Sequence, residues 1–444
     1  MLAVAGTIML KSATIPALSS SSAASTLLQQ IASNHSKGIA KVVLKRGKTQ
    51  LFKDGCPMVY SGAVDRILGR PPPRTGDMVL VADGMEKPIG WGFYNSVSMF
   101  CVRLMQLEEE AAGDPDCALN VEKLLETRLG RAIQLRKNLG LPSASTNAYR
   151  LVNSEGDRLS GLIVDIFGDL AVVASSAAWV EKYKPEIKNC INRLEGINYI
   201  SWRPSAEILK EEGLDLSDSR EMHPPIPSGM VKVMENQISY SISLEGQKTG
   251  FYADQRENRQ FISTVSDGQR VLDMYCYTGG FALNAVVGGA TDVIGVDSSS
   301  PALELANQNI VLNNLDPNRV SFRRNDAADF LKDAASRNEL WDIVIMDPPK
   351  LAPRRKVLQN ASGMYRSLNS LAMRVVKKGG LLMTCSCSGA MTQSGTFLTT
   401  LQAAATMAGR KITVVRQTGA ACDHPIDPSY PEGAYLSNVL LRVL

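Results

Sequence analysis

Apolar residues in the second half of the chain come in short runs separated by helical lengths of sequence. Between residues 271 and 387 the main runs are Val271-Leu-Asp273-Met, Val293-Ile-Gly-Val-Asp297, Ile343-Val-Ile-Met-Asp347 and Leu381-Leu-Met-Thr-Cys385-Ser-Cys387, with a further strand over 320–323. Each run ends in a polar residue or glycine. The pattern predicts a parallel sheet with helices on its faces. Two more strands, 412–415 and 438–443, follow near the end. Ligands of such sheets bind beyond the carboxyl ends of the strands. Those ends carry Asp273, Asp297, Asp347 and Cys387.

Upstream the pattern changes. Residues 40–107 hold strand candidates at 41–44, 78–81, 89–94 and 100–104, separated by clusters such as Gly69-Arg-Pro-Pro-Pro-Arg-Thr-Gly76. They predict a small all-β barrel. Gly113-Asp-Pro-Asp116 breaks the chain, and an α+β segment spans 117–235. Its helix over 121–138 has Leu124, Leu125, Ile133 and Leu135 as its apolar face. Strands at 150–153, 161–165 and 170–173 and a helix over 179–194 complete it, and the Pro-rich stretch 223–229 reads as a linker or turn. Residues 237–444 form the last unit. Its first strand, 237–244, alternates polar and apolar, and a helix ends near Ser266. Ser300-Pro301 reads as an N-cap followed by proline at the first helical position.

Residues 1–38 stand apart. They are rich in Ser and Ala and contain no Asp, Glu or Arg; the first acidic residue is Asp54. That composition reads as an organelle transit peptide outside the fold. The lack of Arg favours a chloroplast over a mitochondrion.

Composition narrows the class. With 444 residues, 44% apolar and 21% charged, the chain fits a globular protein of two or three domains. No stretch approaches the roughly 20 apolar residues of a membrane span, so no membrane partner is expected. A net charge of +4 does not announce a nucleic-acid partner. Local clusters say more: Lys41, Lys45, Arg46 and Lys48 in one place, Arg354, Arg355 and Lys356 in another. Eight Cys without a CxxC pair, and three His, argue against a structural metal site and against a disulfide scaffold.

The chemistry lies at the strand ends. Tyr277-Thr278-Gly279-Gly280-Phe281 ends one strand and opens a helix, so a ligand can approach the backbone there. The spacing lacks the third glycine of a dinucleotide fingerprint. Asp297 stands where an acid accepts ribose hydroxyls, and Asp326 is placed to reach an adenine amino group or to cap a helix. Asp347-Pro348-Pro349-Lys350 is more specific. An acid before two prolines makes a rigid turn that suits a flat base held edge-on. Cys387 ends the next strand and would face the same crevice. A thiolate can add to carbon 6 of a pyrimidine and so activate carbon 5 toward a methyl donor.

At this point the chain resembles a known family: class I S-adenosylmethionine-dependent methyltransferases that make 5-methylcytosine in large-subunit (23S-type) ribosomal RNA. The resemblance covers roughly residues 40–444. It is carried by Ser61-Gly-Ala-Val64, Glu155-Gly-Asp157, Gly161-Leu-Ile-Val-Asp165, Tyr277-Thr-Gly-Gly-Phe281, Asp347-Pro-Pro-Lys350, Ser386-Cys-Ser-Gly389, Asp423-His-Pro425 and Pro431-Glu-Gly433. Its most specific stretch is Gly246-Gln-Lys-Thr-Gly-Phe-Tyr-Ala-Asp254-Gln-Arg-Glu-Asn-Arg259. The resemblance implies an α/β fold: a Rossmann-like class I methyltransferase domain, preceded by a small β-barrel (PUA-like) RNA-binding domain and a central α+β domain. It implies S-adenosyl-L-methionine as cofactor and ribosomal RNA as partner; a homodimer stays open. It implies Cys387 rather than Cys385 as nucleophile, although strand alternation puts both on one face. Asp347 should hold the cytosine. Phe251, Arg256, Asp273, Tyr277, Thr278, Gly279, Gly280, Asp297, Asp326 and Asp347 form the expected cofactor set.

Two departures stand out. The family's barrel has His-Pro-Trp where this chain has Cys56-Pro-Met58. Other RNA cytosine methyltransferases carry a second cysteine after Asp-Pro-Pro, where this chain has Lys350; the base that removes the carbon-5 proton is thus unassigned, with a water held by Asp347 or the backbone as the expectation. Three rival readings remain: the same fold acting on another RNA atom, an NAD-dependent oxidoreductase, and a non-catalytic RNA-binding protein of ribosome assembly. The missing third glycine and the Asp-Pro-Pro-Lys turn weigh against the second.

Overall fold

The computed structural model describes residues 25–35, 38–215, 230–243, 250–351 and 357–444. Residues 1–24, the stretch 223–229, residues 246–249 of the long motif and the Arg354–Lys356 cluster lie outside them.

Three strand systems follow one another. The first is a six-stranded sheet of β1 (Ala40–Leu44), β2 (Met58–Tyr60), β3 (Val64–Leu68), β4 (Met78–Ala82), β5 (Pro88–Tyr94) and β6 (Phe100–Leu107), in the order β2-β6-β5-β4-β1-β3. The second holds β7 (Ala148–Asn153), β8 (Leu162–Phe167), β9 (Leu170–Ser175) and β10 (Tyr199–Pro204), in the order β10-β9-β8-β7. A hairpin of β11 (Met230–Glu235) and β12 (Ile238–Ser243) comes next. Its two-residue turn, Asn236-Gln237, has positive φ at both positions, 50° and 69°, as a tight hairpin requires. The expected boundary between 235 and 237 therefore falls inside one hairpin.

The third system is the expected parallel sheet. It comprises β13 (Arg270–Met274), β14 (Asp292–Asp297), β15 (Val320–Arg324), β16 (Trp341–Met346), β17 (Val376–Ser386), β18 (Ile412–Thr418) and β19 (Ser437–Val443). Their order is β15-β14-β13-β16-β17-β19-β18, parallel except around β19. The chain winds outward from β13 through β14 to β15, then returns to β16 on the other side. The resulting switch point between β13 and β16 opens a crevice at their carboxyl ends. Asp273, Asp347 and the Tyr277 turn all follow from these two strands.

The middle sheet is buried on both faces. On β9, Ala171 and Val173 face a core shared with Trp91 and Phe93 of the first sheet, while Leu170 and Val172 face one shared with Phe251 and with Val271 of the third sheet. Strand alternation alone produces this sorting.

Several local expectations shift. The helix Val121–Asn138 forms as expected, and Leu124 and Leu125 are buried, but Leu135 is exposed. Arg128 and Arg136 occupy its buried side instead, because their guanidinium groups find carbonyl and carboxylate partners there. The 179–194 helix is two helices, Ala178–Lys182 and Lys184–Asn192, broken at Tyr183. Pro185 explains the break, since it has no amide to donate to the Glu181 carbonyl and its ring would clash there, whereas in the first turn of a new helix it needs no such bond. Ser299, not Ser300, caps the helix Ser300–Leu312, with its side chain accepting from the Ala302 amide. Residues 1–38 are not wholly outside the fold: Leu27–Ser33 is a helix, and Leu28 is fully buried in the first core.

Candidate functional site

A cavity of about 660 Å³ opens at the switch point. Four strand ends build it. After β13 comes the turn Tyr275–Thr278, after β14 Asp297, after β16 Asp347 to Lys350, and after β17 Cys387. Asp254 and Gln255, from the turn Ala253–Gln255, and Tyr435 also line it.

The glycine turn is strained and tightly packed. Tyr275 and Tyr277 hold φ of 63° and 49°, values costly for bulky residues. Gly279 has φ of 84° and sits where a Cβ would lie 2.7 Å from the Phe322 ring. It is the N-cap residue of the helix Gly280–Val287 and has no side chain to cap it. Asp273 does that work from below: its carboxylate accepts from the Ala282 amide at 2.9 Å. Asp273 is fully buried and lies behind the cavity wall, not on it. Burial, then the charges of Asp347 and Asp297, push its carboxyl well up. Its contribution is to set the turn.

Asp297 lines the cavity with both oxygens anchored. One accepts from the Tyr277 amide at 3.0 Å, the other from the Ser299 amide at 2.9 Å. These bonds fix the plane of the carboxylate and leave lone pairs toward a ligand. Asp326 caps the helix Ala327–Ser336 through the Ala328 and Asp329 amides and is not on the cavity wall. Phe251 lines the cavity, packed 5.1 Å from Tyr240. Thr278 and Gly280 line it too.

Arg256 requires a correction. It does not reach the cavity; its two terminal nitrogens form paired 2.9 Å bonds to Asp423, and it is buried there. The arginine on the wall is Arg259, one helical turn on. It clasps Glu235 of the β11–β12 hairpin with two 2.7 Å bonds and donates to the Tyr252 carbonyl at 2.8 Å. Residues three apart share a helix face, so what separates the two arginines is their partners, Asp423 for one and Glu235 for the other.

The catalytic end is clearer. The two cysteines part company because β17 ends at Ser386, so alternation fails for the next residue. Cys385 is fully buried, its Sγ taking the Asn438 amide at 3.1 Å, and burial pushes its thiol well up. Cys387 turns into the cavity, its Sγ 3.7 Å from the Pro348 carbonyl. Asp347 shares that wall.

Sequence reading missed the residues that hold Asp347. Gln255 donates to its Oδ2 at 3.1 Å. The Gln255 amide cannot flip, since its Oε1 accepts from Asn258 at 2.8 Å. Asn258 is oriented in turn by Thr418, whose hydroxyl donates to it at 2.8 Å. Tyr435, also missed, donates to Asp254 at 2.7 Å. The signal for Gln255 and Asp254 was their place in the most specific motif; Tyr435 follows Pro431-Glu-Gly433 by two residues.

This donor set fits S-adenosylmethionine. An anchored acid suits a ribose, a helix N-terminus behind a glycine turn suits a carboxylate, and aromatic walls suit an adenine. Among the described residues, no group of three or more His, Cys, Asp or Glu could hold a metal ion.

Comparison with known proteins agrees. A family model described as S-adenosylmethionine-dependent methyltransferase matches residues 219–426, and one described as PUA-like domain matches residues 42–107. Ribosomal RNA large subunit methyltransferase I of Erwinia tasmaniensis is 33% identical over 405 residues, covering 91% of this chain and 99% of that one. The proteins of the same name from Alteromonas mediterranea and Escherichia coli are 35% and 32% identical over the same share of each chain. A solved S-adenosylmethionine-dependent methyltransferase from Streptococcus mutans shares the fold with a TM-score of 0.74 at 20% identity, over 90% of this chain and 99% of that chain. The Rossmann-like sheet with its glycine turn, the PUA-like sheet before it and these full-length relatives agree: the chain belongs to the ribosomal RNA large subunit methyltransferase I family of S-adenosylmethionine-dependent methyltransferases.

Proposed function

We propose that the protein methylates carbon 5 of a cytosine in organelle large-subunit ribosomal RNA through a thiolate adduct on Cys387. One observation carries this reading: Cys387 and Asp347 share one cavity wall at the switch point, while Cys385 is buried behind it. The names of the relatives support ribosomal RNA as the substrate. The PUA-like sheet, with Lys41, Lys45, Arg46 and Lys48 on and after its first strand, supports an RNA-holding role apart from the cavity.

In this reading Asp347 accepts a hydrogen bond from the exocyclic amine of cytosine, with Gln255 keeping the carboxylate in place. The Cys387 thiolate adds to carbon 6 and makes carbon 5 a nucleophile. S-adenosylmethionine supplies the methyl group as an electrophile. The Asp297 and glycine-turn end orients the donor, so both reactants meet without a search. The organelle assignment rests on the Ser-rich, acid-free residues 1–38, with a plastid favoured over a mitochondrion.

Cys387→Ala tests the chemistry. Incubated with labelled S-adenosylmethionine and unmodified large-subunit RNA, it should lose methylation by about 10³-fold or more while keeping cofactor affinity, and Cys385→Ala should remain active. Bisulfite mapping of the wild-type product should show one protected cytosine. Normal turnover by Cys387→Ala would instead favour methylation of an exocyclic amine, which needs no thiol.

A further inference from the structure

Methyl transfer to carbon 5 leaves one proton to be removed. Lys350 occupies the place of the second thiol found in other RNA cytosine methyltransferases, and an ammonium has no lone pair to offer. Three carboxylates line the cavity: Asp254, Asp297 and Asp347. Asp297 is tied to two backbone amides at the end of β14. Asp347 is held by Gln255 and, in the reading above, faces the exocyclic amine. Asp254 is the remaining carboxylate.

Its setting suits a base. It is 8% exposed, on the turn Ala253–Gln255, and its backbone carbonyl accepts from the Ala421 amide at 2.8 Å, which pins the turn. Its Oδ2 accepts from the Tyr435 hydroxyl at 2.7 Å, and Tyr435 lines the same cavity. Burial, then the Asp254 charge, push the Tyr435 hydroxyl well up, so it stays protonated and remains a donor. After burial, the Tyr252 hydroxyl is raised by Tyr277, Asp254, Asp347 and Cys387 together. Asp254, Asp347, Cys387 and Tyr252 all line this one cavity.

We propose that Asp254 is the catalytic base that accepts the carbon-5 proton of the methylated adduct; this rests on the carbon-5 reading. The C5–H bond breaks and its proton passes to the Asp254 carboxylate. The electron pair re-forms the C5–C6 double bond. The C6–S bond breaks, and its electrons return to Cys387 as thiolate. Asp254, now neutral, gives its proton to water.

Asp254→Asn separates methyl transfer from elimination. RNA labelled with tritium at cytosine carbon 5 reports the proton step, and a denaturing gel reports the covalent protein–RNA adduct. In Asp254→Asn, tritium release should fall about 10²–10⁴-fold, and a gel-stable adduct bearing the labelled methyl group should accumulate. The adduct should vanish in Asp254→Asn with Cys387→Ala. Release of tritium by Asp254→Asn at the wild-type rate, or loss of release with no adduct while cofactor and RNA still bind, would overturn the assignment and leave the carbon-5 reading intact. Absence of tritium release from the wild-type protein would bring down both. Tyr435→Phe gives a second test should Asp254→Asn not fold. Losing that donor makes the carboxylate more basic, so the acid limb of tritium release should move to higher pH; an unmoved limb would overturn the assignment.

Discussion

Asp423 shows what one buried carboxylate does away from the cavity. It takes both terminal nitrogens of Arg256 at 2.9 Å, the Arg150 amide at 2.8 Å, and faces His424 Nδ1 at 2.9 Å. Burial alone would raise its carboxyl, but His424 and Arg256 outweigh burial and hold it well below its ordinary value of 3.8. The sign follows. With a folded pKa below the unfolded one, the contribution is full above about pH 4 and is lost as pH falls toward the folded value. Asp423→Asn should cost about 3–5 kcal/mol at pH 7, because Arg256 would stay buried without its counter-charge. Urea unfolding at pH 7 and pH 3 should show the gap between wild type and variant closing at the lower pH. A gap that does not narrow would mean the ion pair contributes nothing to acid stability.

The elements show what the sequence could and could not reveal. Asp347-Pro-Pro-Lys350 and Asp297 were legible because their chemistry follows from position at a strand end. Arg256 was misread because choosing between it and Arg259 depends on Asp423 and Glu235, which are distant in sequence. The residue pair Cys385 and Cys387 was ambiguous for a local reason: alternation holds only while the strand lasts, and β17 stops between them. Composition set the whole N-terminal segment to residue 38 outside the fold, and its last part packs on the fold. Its helix Leu27–Ser33 buries Leu28 beside the helix Glu108–Gly113, and the Leu28 amide lies 3.4 Å from Glu108 Oε1. Burying one leucine stabilises by roughly 1.5–3 kcal/mol. A protein starting at Ser25 should therefore exceed one starting at Ile39 by about that amount in urea unfolding. Equal midpoints would mean that the helix adds nothing to the stability of the fold. A clear difference would make the helix part of the fold, and N-terminal sequencing of the mature protein would show whether it is retained.

At the scale of the molecule, sequence boundaries that suggested separate domains cut through shared cores. Phe93 of the first sheet stacks on Trp179 of the middle segment at 4.8 Å between centroids, with planes 5° apart. Trp179 also donates to the Ser160 carbonyl at 2.7 Å. One loop of the third system ties it to both others: Ser429 donates to the Gly55 carbonyl of the first at 2.9 Å, and Arg136 of the middle segment donates to the Asp423 carbonyl at 2.7 Å. At Gly156 any Cβ would sit 1.9 Å from the Pro425 carbonyl oxygen, so only glycine lets the loop pass. A chain locked this way holds the PUA-like sheet at a fixed distance from the cavity. The lock is testable. Trp179→Ala should cost about 3–5 kcal/mol, and hydrogen exchange should speed up in β5 as much as in β8 and β9. Unfolding should stay a single transition. Two separate transitions, with only the later strands affected, would mean that the first sheet folds by itself and that the spacing is set by a hinge.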